Sequence, residues 1–152
     1  MNQQHIMRLP AEKFTELAMP FCTAAGLEDT ARLRELLPAI QTKVQLLSEV
    51  PAWVKWVQVL EYEQENMAKL QDNAREMLTL LVEAFNGIEE WSGEAAFQVI
   101  KPLAKANGVK VGAAMFPLRM ALTGTHAGPG IDVIMQVLGR EEVLRRISVF
   151  PC

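Results

Sequence analysis

Three observations predict an all-α fold made of two consecutive small helical bundles. Apolar residues recur at helical spacing in nearly every segment. Prolines and glycines punctuate those segments where helices begin and end. No stretch alternates apolar and polar residues long enough to make a strand. The 152 residues suit one compact domain or two small subdomains, and with half of them apolar the chain can bury a core. The best internal boundary is the acidic stretch EYEQEN at 61–66, which puts the first subdomain at 1–62 and the second at 63–152. Short connections between the helices are expected of such bundles.

The elements follow in order. PAEKFTELAMPFCTAAG places Pro10 at a helix start, Phe14, Leu17 and Phe21 on one face, and Gly26 as a stop. DTARLRELLPAIQTKVQLLSEV repeats apolar residues at 33, 36, 37, 40, 44 and 47, with Pro38 expected to kink or divide the helix. PAWVKWVQVLEY starts a new helix at Pro51. QENMAKLQDNAREMLTLLVEAFNG reads as one long amphipathic helix. Its stripe is Met67, Leu70, Ala74, Met77, Leu78, Leu81 and Phe85, closed by Asn86-Gly87. Ser92 is the expected N-cap of GEAAFQVIKPLAKANG. An apolar helix from Val111 then runs into the glycine loop GTHAGPG. GIDVIMQVLGREEVLRRISVF closes the chain and is split by Gly139.

No apolar run reaches the ~18 residues of a membrane span, and the N-terminus MNQQHIMRLP lacks the apolar core of a signal peptide. A cytoplasmic protein with free thiols at Cys22 and Cys152 is expected. Two cysteines and two histidines build no convincing zinc site, so no metal is expected. The net charge of −3 argues against nucleic acid, but its distribution does not. Residues 101–152 carry Lys101, Lys105, Lys110, Arg119, Arg140, Arg145 and Arg146 against Asp132, Glu141 and Glu142, a surplus of four positive charges. The first 100 residues carry a surplus of seven negative ones. Such polarity permits a polyanion on one face, and chance clustering gives the same pattern.

Catalysis finds little support. The carboxylate pairs among Glu61, Glu63 and Glu65, at Glu89 and Glu90, and at Glu141 and Glu142 sit in polar surroundings, where nothing drives their pKa values apart. Neither His126 nor any serine stands in a recognisable triad. The glycine loop has neither the lysine of a phosphate loop nor a preceding strand. It fits a tight helix connection or a close backbone approach to a ligand. Trp53 and Trp56, with Lys55 between them, fit a core or subdomain contact, or base stacking. Arg119 is the oddity: one arginine in the apolar run VGAAMFPLRMALTG. It either bonds carbonyls of its own helix or an acid, or its planar fork protrudes beside the glycine loop to meet a base or a phosphate.

The segment MFPLRMALTGTHAGPGIDVIMQVLGREEVLRRI closely resembles the C-terminal signature of bacterial-type glutamyl-tRNA synthetases. That family carries a P-L-R-x-A-L-T-G run, a short loop with a proline, and then LLGKE-like and RR-like segments. The counterparts are Pro117–Gly124, Pro129, Val137–Glu141 and Arg145-Arg146. NQQHI, PFCTAAGL, KVQLLSEVP and the Trp91-Ser92 pair match more loosely but in register, so the resemblance spans essentially the whole chain.

The resemblance implies the family's anticodon-binding region, two α-helical bundles that read the anticodon of glutamate tRNA as splayed bases. By position, Arg119 matches the arginine that approaches the anticodon. Gly128, Pro129 and Ile131 fall in the loop and helix start that contact its bases. Lys43 aligns with a position that in some members is an arginine reading the third base, which separates glutamate from glutamine tRNAs. Lysine lacks the planar fork, so that discrimination is expected to relax or to rest elsewhere. Gly128 replaces a side chain that hydrogen-bonds in some members, leaving only backbone contact. Lys101, Lys105, Lys110, Arg140, Arg145 and Arg146 would attract phosphates.

The ATP-binding motifs of the family are missing, so this chain is expected to hold no catalytic residue and no cofactor. ATP and magnesium belong to a catalytic domain absent from it. The expected partners are glutamate tRNA, with glutamine tRNA as a second candidate, and that catalytic domain. No membrane is expected, and the chain is expected to be a monomer. Its start at Met1-Asn2 suits an excised piece. The alternative is a free-standing helical paralogue that docks on a synthetase.

Overall fold

The computed structural model describes residues 3–125 and 128–152. Among these the chain forms nine α-helices, two 3₁₀ turns and no strand, the all-α class expected. It divides into two compact units. One runs to Leu60 and includes Pro129; the other begins at Glu61 and ends at Cys152.

The first unit contains α1 (Gln3–Arg8), α2 (Ala11–Ala24), α3 (Ala31–Ile40) and α4 (Val50–Val54). Its core is Ile6, Phe14, Ala18, Cys22, Leu33, Leu36, Leu37, Ile40, Val44, Val50 and Val54, all fully buried. Thr30 caps α3, its hydroxyl accepting from Leu33 N at 3.2 Å. Pro38 does not divide α3, which runs two residues beyond it to Ile40. Pro38 has no N–H for the Arg34 carbonyl, so the helix forfeits one i→i+4 bond, but the proline φ is compatible with helix and the turn closes through Gln41 N to Pro38 O at 3.3 Å. The helix does not continue to Leu47. The α-helix ends at Ile40; Gln41 keeps helical φ and ψ and buries its amide, donating to Ile6 O at 2.6 Å and Leu9 O at 2.9 Å. The segment from Pro51 is likewise shorter than expected. Five-residue α4 starts at Val50 and gives way to a 3₁₀ turn at Lys55–Val57, with Trp56 donating to Trp53 O at 2.9 Å. Trp56 is buried and Trp53 half-buried.

The second unit contains α5 (Gln64–Met67), α6 (Ala74–Asn86), α7 (Gly93–Ala106), α8 (Val111–Thr123) and α9 (Ile131–Val149). The expected single helix from Gln64 to Gly87 is two helices, broken over 68–73. The apolar stripe holds through Met77, Leu78, Leu81 and Phe85, all buried, whereas Met67 and Leu70 are only half-buried. Between them Gln71, Asp72 and Asn73 favour a turn over helix. Helices α6, α7, α8 and α9 pack mutually around Ile100, Ala104, Leu118, Leu122, Ile134 and Met135.

The Trp91-Ser92-Gly93 run has a clear local cause. Ser92 caps α7 through its hydroxyl, accepting from Ala95 N at 3.0 Å. Trp91 Nε1 donates to Met135 O at 3.2 Å, and Gly93 N donates to Gln136 Oε1 at 2.8 Å. A Cβ at Gly93 would sit 1.9 Å from Asp132 O, so only glycine lets α7 start against α9. Gly139 kinks α9 with φ +79° and ψ 162°, the expected split into two helical pieces.

Candidate nucleic-acid interface

Arg119 stands one turn from the end of α8, half-buried. Burial lowers the pKa of its guanidinium, which still stays charged at any physiological pH. The last turn is held by Thr123, whose hydroxyl has its one proton shared between Arg119 O at 2.9 Å and Thr125 O at 2.8 Å. Gly124 closes the helix in the left-handed conformation at φ +75°, its N–H donating to Met120 O at 2.8 Å. Gly124 O accepts from Glu63 N at 2.8 Å, and a Cβ on Gly124 would fall 1.9 Å from Glu61 O. The L-T-G ending of the motif is therefore a cap that needs a glycine twice over, for its φ and for the strap of backbone lying against it.

His126 and Ala127, inside the glycine loop, lie outside the described residues. Gly128 is half-buried with φ +147°, and Pro129 is buried. Gly130 is exposed and caps α9 without a side-chain bond. Ile131 is 2% exposed, so its side chain shapes the start of α9 from below instead of offering a surface. Lys43 is exposed in the first unit, in the turn after α3, with its N–H bonded to Ile40 O at 2.9 Å.

The basic residues of the C-terminal third sort into two groups. Lys101 and Lys105 are exposed one turn apart on α7, and exposed Lys110 precedes α8. These three are open to solvent. The arginines of α9 serve the fold. Arg146 is only 3% exposed; its Nε donates to Glu142 Oε1 at 3.0 Å and its Nη1 to Leu122 O at 2.6 Å. A phosphate role for Arg146 is thereby corrected: its fork is spent inside the bundle. Arg140 donates to Ile88 O and lies over the Trp91 ring at 5.5 Å from its centroid. Arg145 is exposed but paired with Glu142 Oε1 at 2.5 Å. The two arginines hold the Glu142 carboxyl down at about 2, Arg145 contributing most. The sequence did carry a signal for this: Glu142 lies three and four residues before Arg145 and Arg146, the spacing of helical ion pairs.

No group of three or more His, Cys, Asp or Glu side chains among the described residues is arranged to hold a metal. No described helix is long and apolar enough to cross a membrane.

The family model described as anticodon binding domain matches residues 13–150. A glutamate–tRNA ligase from Akkermansia muciniphila is 46% identical over 149 residues, covering 98% of this chain and 34% of that protein. The glutamate–tRNA ligase of Symbiobacterium thermophilum is 32% identical over 164 residues, covering 99% and 33%. A solved glutamate tRNA ligase from Elizabethkingia meningosepticum, in complex with its amino acid, superposes with a TM-score of 0.84 at 20% identity, over 97% of this chain and 30% of that one. The glutamate-tRNA synthetase of Elizabethkingia anophelis gives 0.81 at 21% identity, over 97% and 29%. At these identities the solved structures show the fold. The chain spans about a third of the length of the curated relatives it matches. With the family model covering nearly all of it, this chain belongs to the anticodon-binding domain family and corresponds to the C-terminal, anticodon-binding part of glutamate–tRNA ligases.

Proposed function

We propose that the chain reads the anticodon loop of glutamate tRNA for an ATP-dependent glutamylation carried out by a catalytic domain outside it. The observation that carries this reading is Arg119, half-buried beside a capped helix end in a chain of the anticodon-binding family. A half-buried guanidinium offers a planar fork in a partly desolvated setting, where a hydrogen bond to a base edge discriminates best. Gly128, with no side chain, permits a close backbone approach to a base, and Pro129 and Ile131 follow it at the start of α9. Lys43 contributes a point charge toward the third base, so discrimination between glutamate and glutamine tRNAs is weaker than a fork would give. Lys101, Lys105 and Lys110 attract the phosphates. The docking alternative is not favoured, because the family is defined by anticodon binding. The protein acts as a cytoplasmic monomer.

The test is binding of glutamate tRNA to the chain at low salt, followed by fluorescence anisotropy. Arg119→Ala is expected to weaken binding by about tenfold, within the ~1–3 kcal/mol of a good base contact. Arg119→Lys is expected to recover little of it. Changing the third anticodon base from C to G should cost wild type less than tenfold, because lysine stands at position 43. Binding insensitive to Arg119 and to the anticodon would sink the proposal.

A further inference from the structure

Among the described residues, Arg146 is the only charged residue that the fold buries, at 3% exposed. An apolar side chain of similar volume would fill the same space without the cost of taking a guanidinium out of water. What sets the arginine apart is therefore what its fork bonds. Nε donates to Glu142 Oε1 within α9 at 3.0 Å, and Nη1 crosses to α8 and donates to Leu122 O at 2.6 Å. Leu122 is fully buried and stands in the last turn of α8, where a helix has no amide left to offer its carbonyls. No water reaches that oxygen, so its donor must come from the protein. A cation there also suits the negative end of the helix. Arg146 thus closes α8 from the side, while Gly124 closes it along the chain. The strap over Gly124 is drawn to the same place: the Tyr62 ring meets that of Phe150, one turn beyond Arg146, edge to face at 5.3 Å between centroids.

Arg119 precedes Leu122 by three residues, in the turn that this bond closes. We infer that Arg146 is a positioning residue for Arg119. By holding Leu122 O it fixes the last turn of α8, and with it the direction in which the Arg119 side chain leaves the helix. A guanidinium fork specifies its partner only at a set angle and distance, so the backbone beneath it has to be held as well. Without the Arg146 donor, the Leu122 carbonyl reaches water only if the last turn opens. Arg119 then leaves from a frayed end, and binding falls although Arg119 itself is intact. Glu142 anchors the Arg146 fork from its other side. The inference rests on the proposed anticodon reading and adds to it a residue that touches no RNA.

The test is a double-mutant cycle read by fluorescence anisotropy. The probe is a synthetic glutamate-type anticodon stem–loop, and protein concentrations are set from the folded fraction by circular dichroism. The variants are Arg119→Ala, Arg146→Met and the pair. Arg146→Met is expected to weaken binding about fivefold on its own and by under about twofold once Arg119 is already alanine, the coupling of two residues that act as one. Its slope of log affinity against log salt is expected to match wild type, since no phosphate contact is lost. Arg146→Lys keeps the charge without the fork, and is expected to bind as weakly as Arg146→Met. A merely structural role weakens binding by the same factor in both backgrounds, and that outcome overturns the inference. Wild-type affinity in Arg146→Met, with Arg119→Ala still weak, overturns it too and leaves the anticodon reading standing. If Arg119→Ala binds like wild type, or wild type fails to bind at low salt, the anticodon reading falls and this inference falls with it. Should Arg146→Met not fold, the same cycle run with Arg146→Lys decides by the same outcomes.

Discussion

Glu142 sets the residue-scale behaviour of the basic C-terminal third. Its carboxyl is held at about 2 in the folded chain against an ordinary 4.5. A depressed folded pKa contributes stability that is present above the unfolded value and is lost as pH falls through the folded one. Thermal melts of Glu142→Gln and wild type should therefore differ most above about pH 5 and converge as the pH approaches 2. A gap that persists unchanged at pH 2 would mean that the ion pairs are not its source. The sequence assigned Arg146 to phosphates, and the assignment failed for a physical reason. Charge and spacing say that an arginine has a helical acid within reach, but not that the bundle closes over it. Buried Arg146 is met by Leu122 O, contributed by α8 24 residues away. Arg119 was legible as an oddity because an apolar helix surrounds it. Its chemistry is set by partial burial, which periodicity alone does not give.

Among the elements, the helices with explicit stop and start chemistry were the readable ones. Ser92 before α7, Gly26 after α2 and the kink at Gly139 all fall where residue type demands. The failures share one cause. A 3.6-residue apolar period persists through Leu70 and through Val44, yet the backbone there leaves the helix to satisfy other needs. Past Ile40 the chain is held by the two buried amide bonds of Gln41, and the Gln71–Asn73 run prefers a turn. Gly124 yields the sharpest prediction at this scale. Gly124→Ala must carry a left-handed φ, costing ~1–2 kcal/mol, and must also push back the Glu61 carbonyl. Urea denaturation should show a loss of at least about 2 kcal/mol. A loss under about 0.5 kcal/mol would mean that the strap moves aside freely.

Across the whole molecule, an acidic chain binds an anion only if its cations are gathered. Lys101, Lys105 and Lys110 are exposed in one unit, whereas Arg140 and Arg146 are engaged within the bundle and exposed Arg145 is paired with Glu142. Replacing the three lysines by alanine should lower the slope of log affinity against log salt by roughly 2 to 3 and weaken all tRNAs alike. Arg140→Ala should leave that slope unchanged and lower the melting temperature instead, through loss of its contact with Trp91. The Gly124 strap also bears on where this polypeptide tolerates being cut. The backbone that lies over the α8 cap, from Glu61 to Glu63, belongs to the second unit and precedes its first helix. A protease nick before Glu61 would release a fragment that still carries its own fastening. A nick three residues later would strip the Gly124 carbonyl of its donor and loosen the helix end on which Arg119 sits.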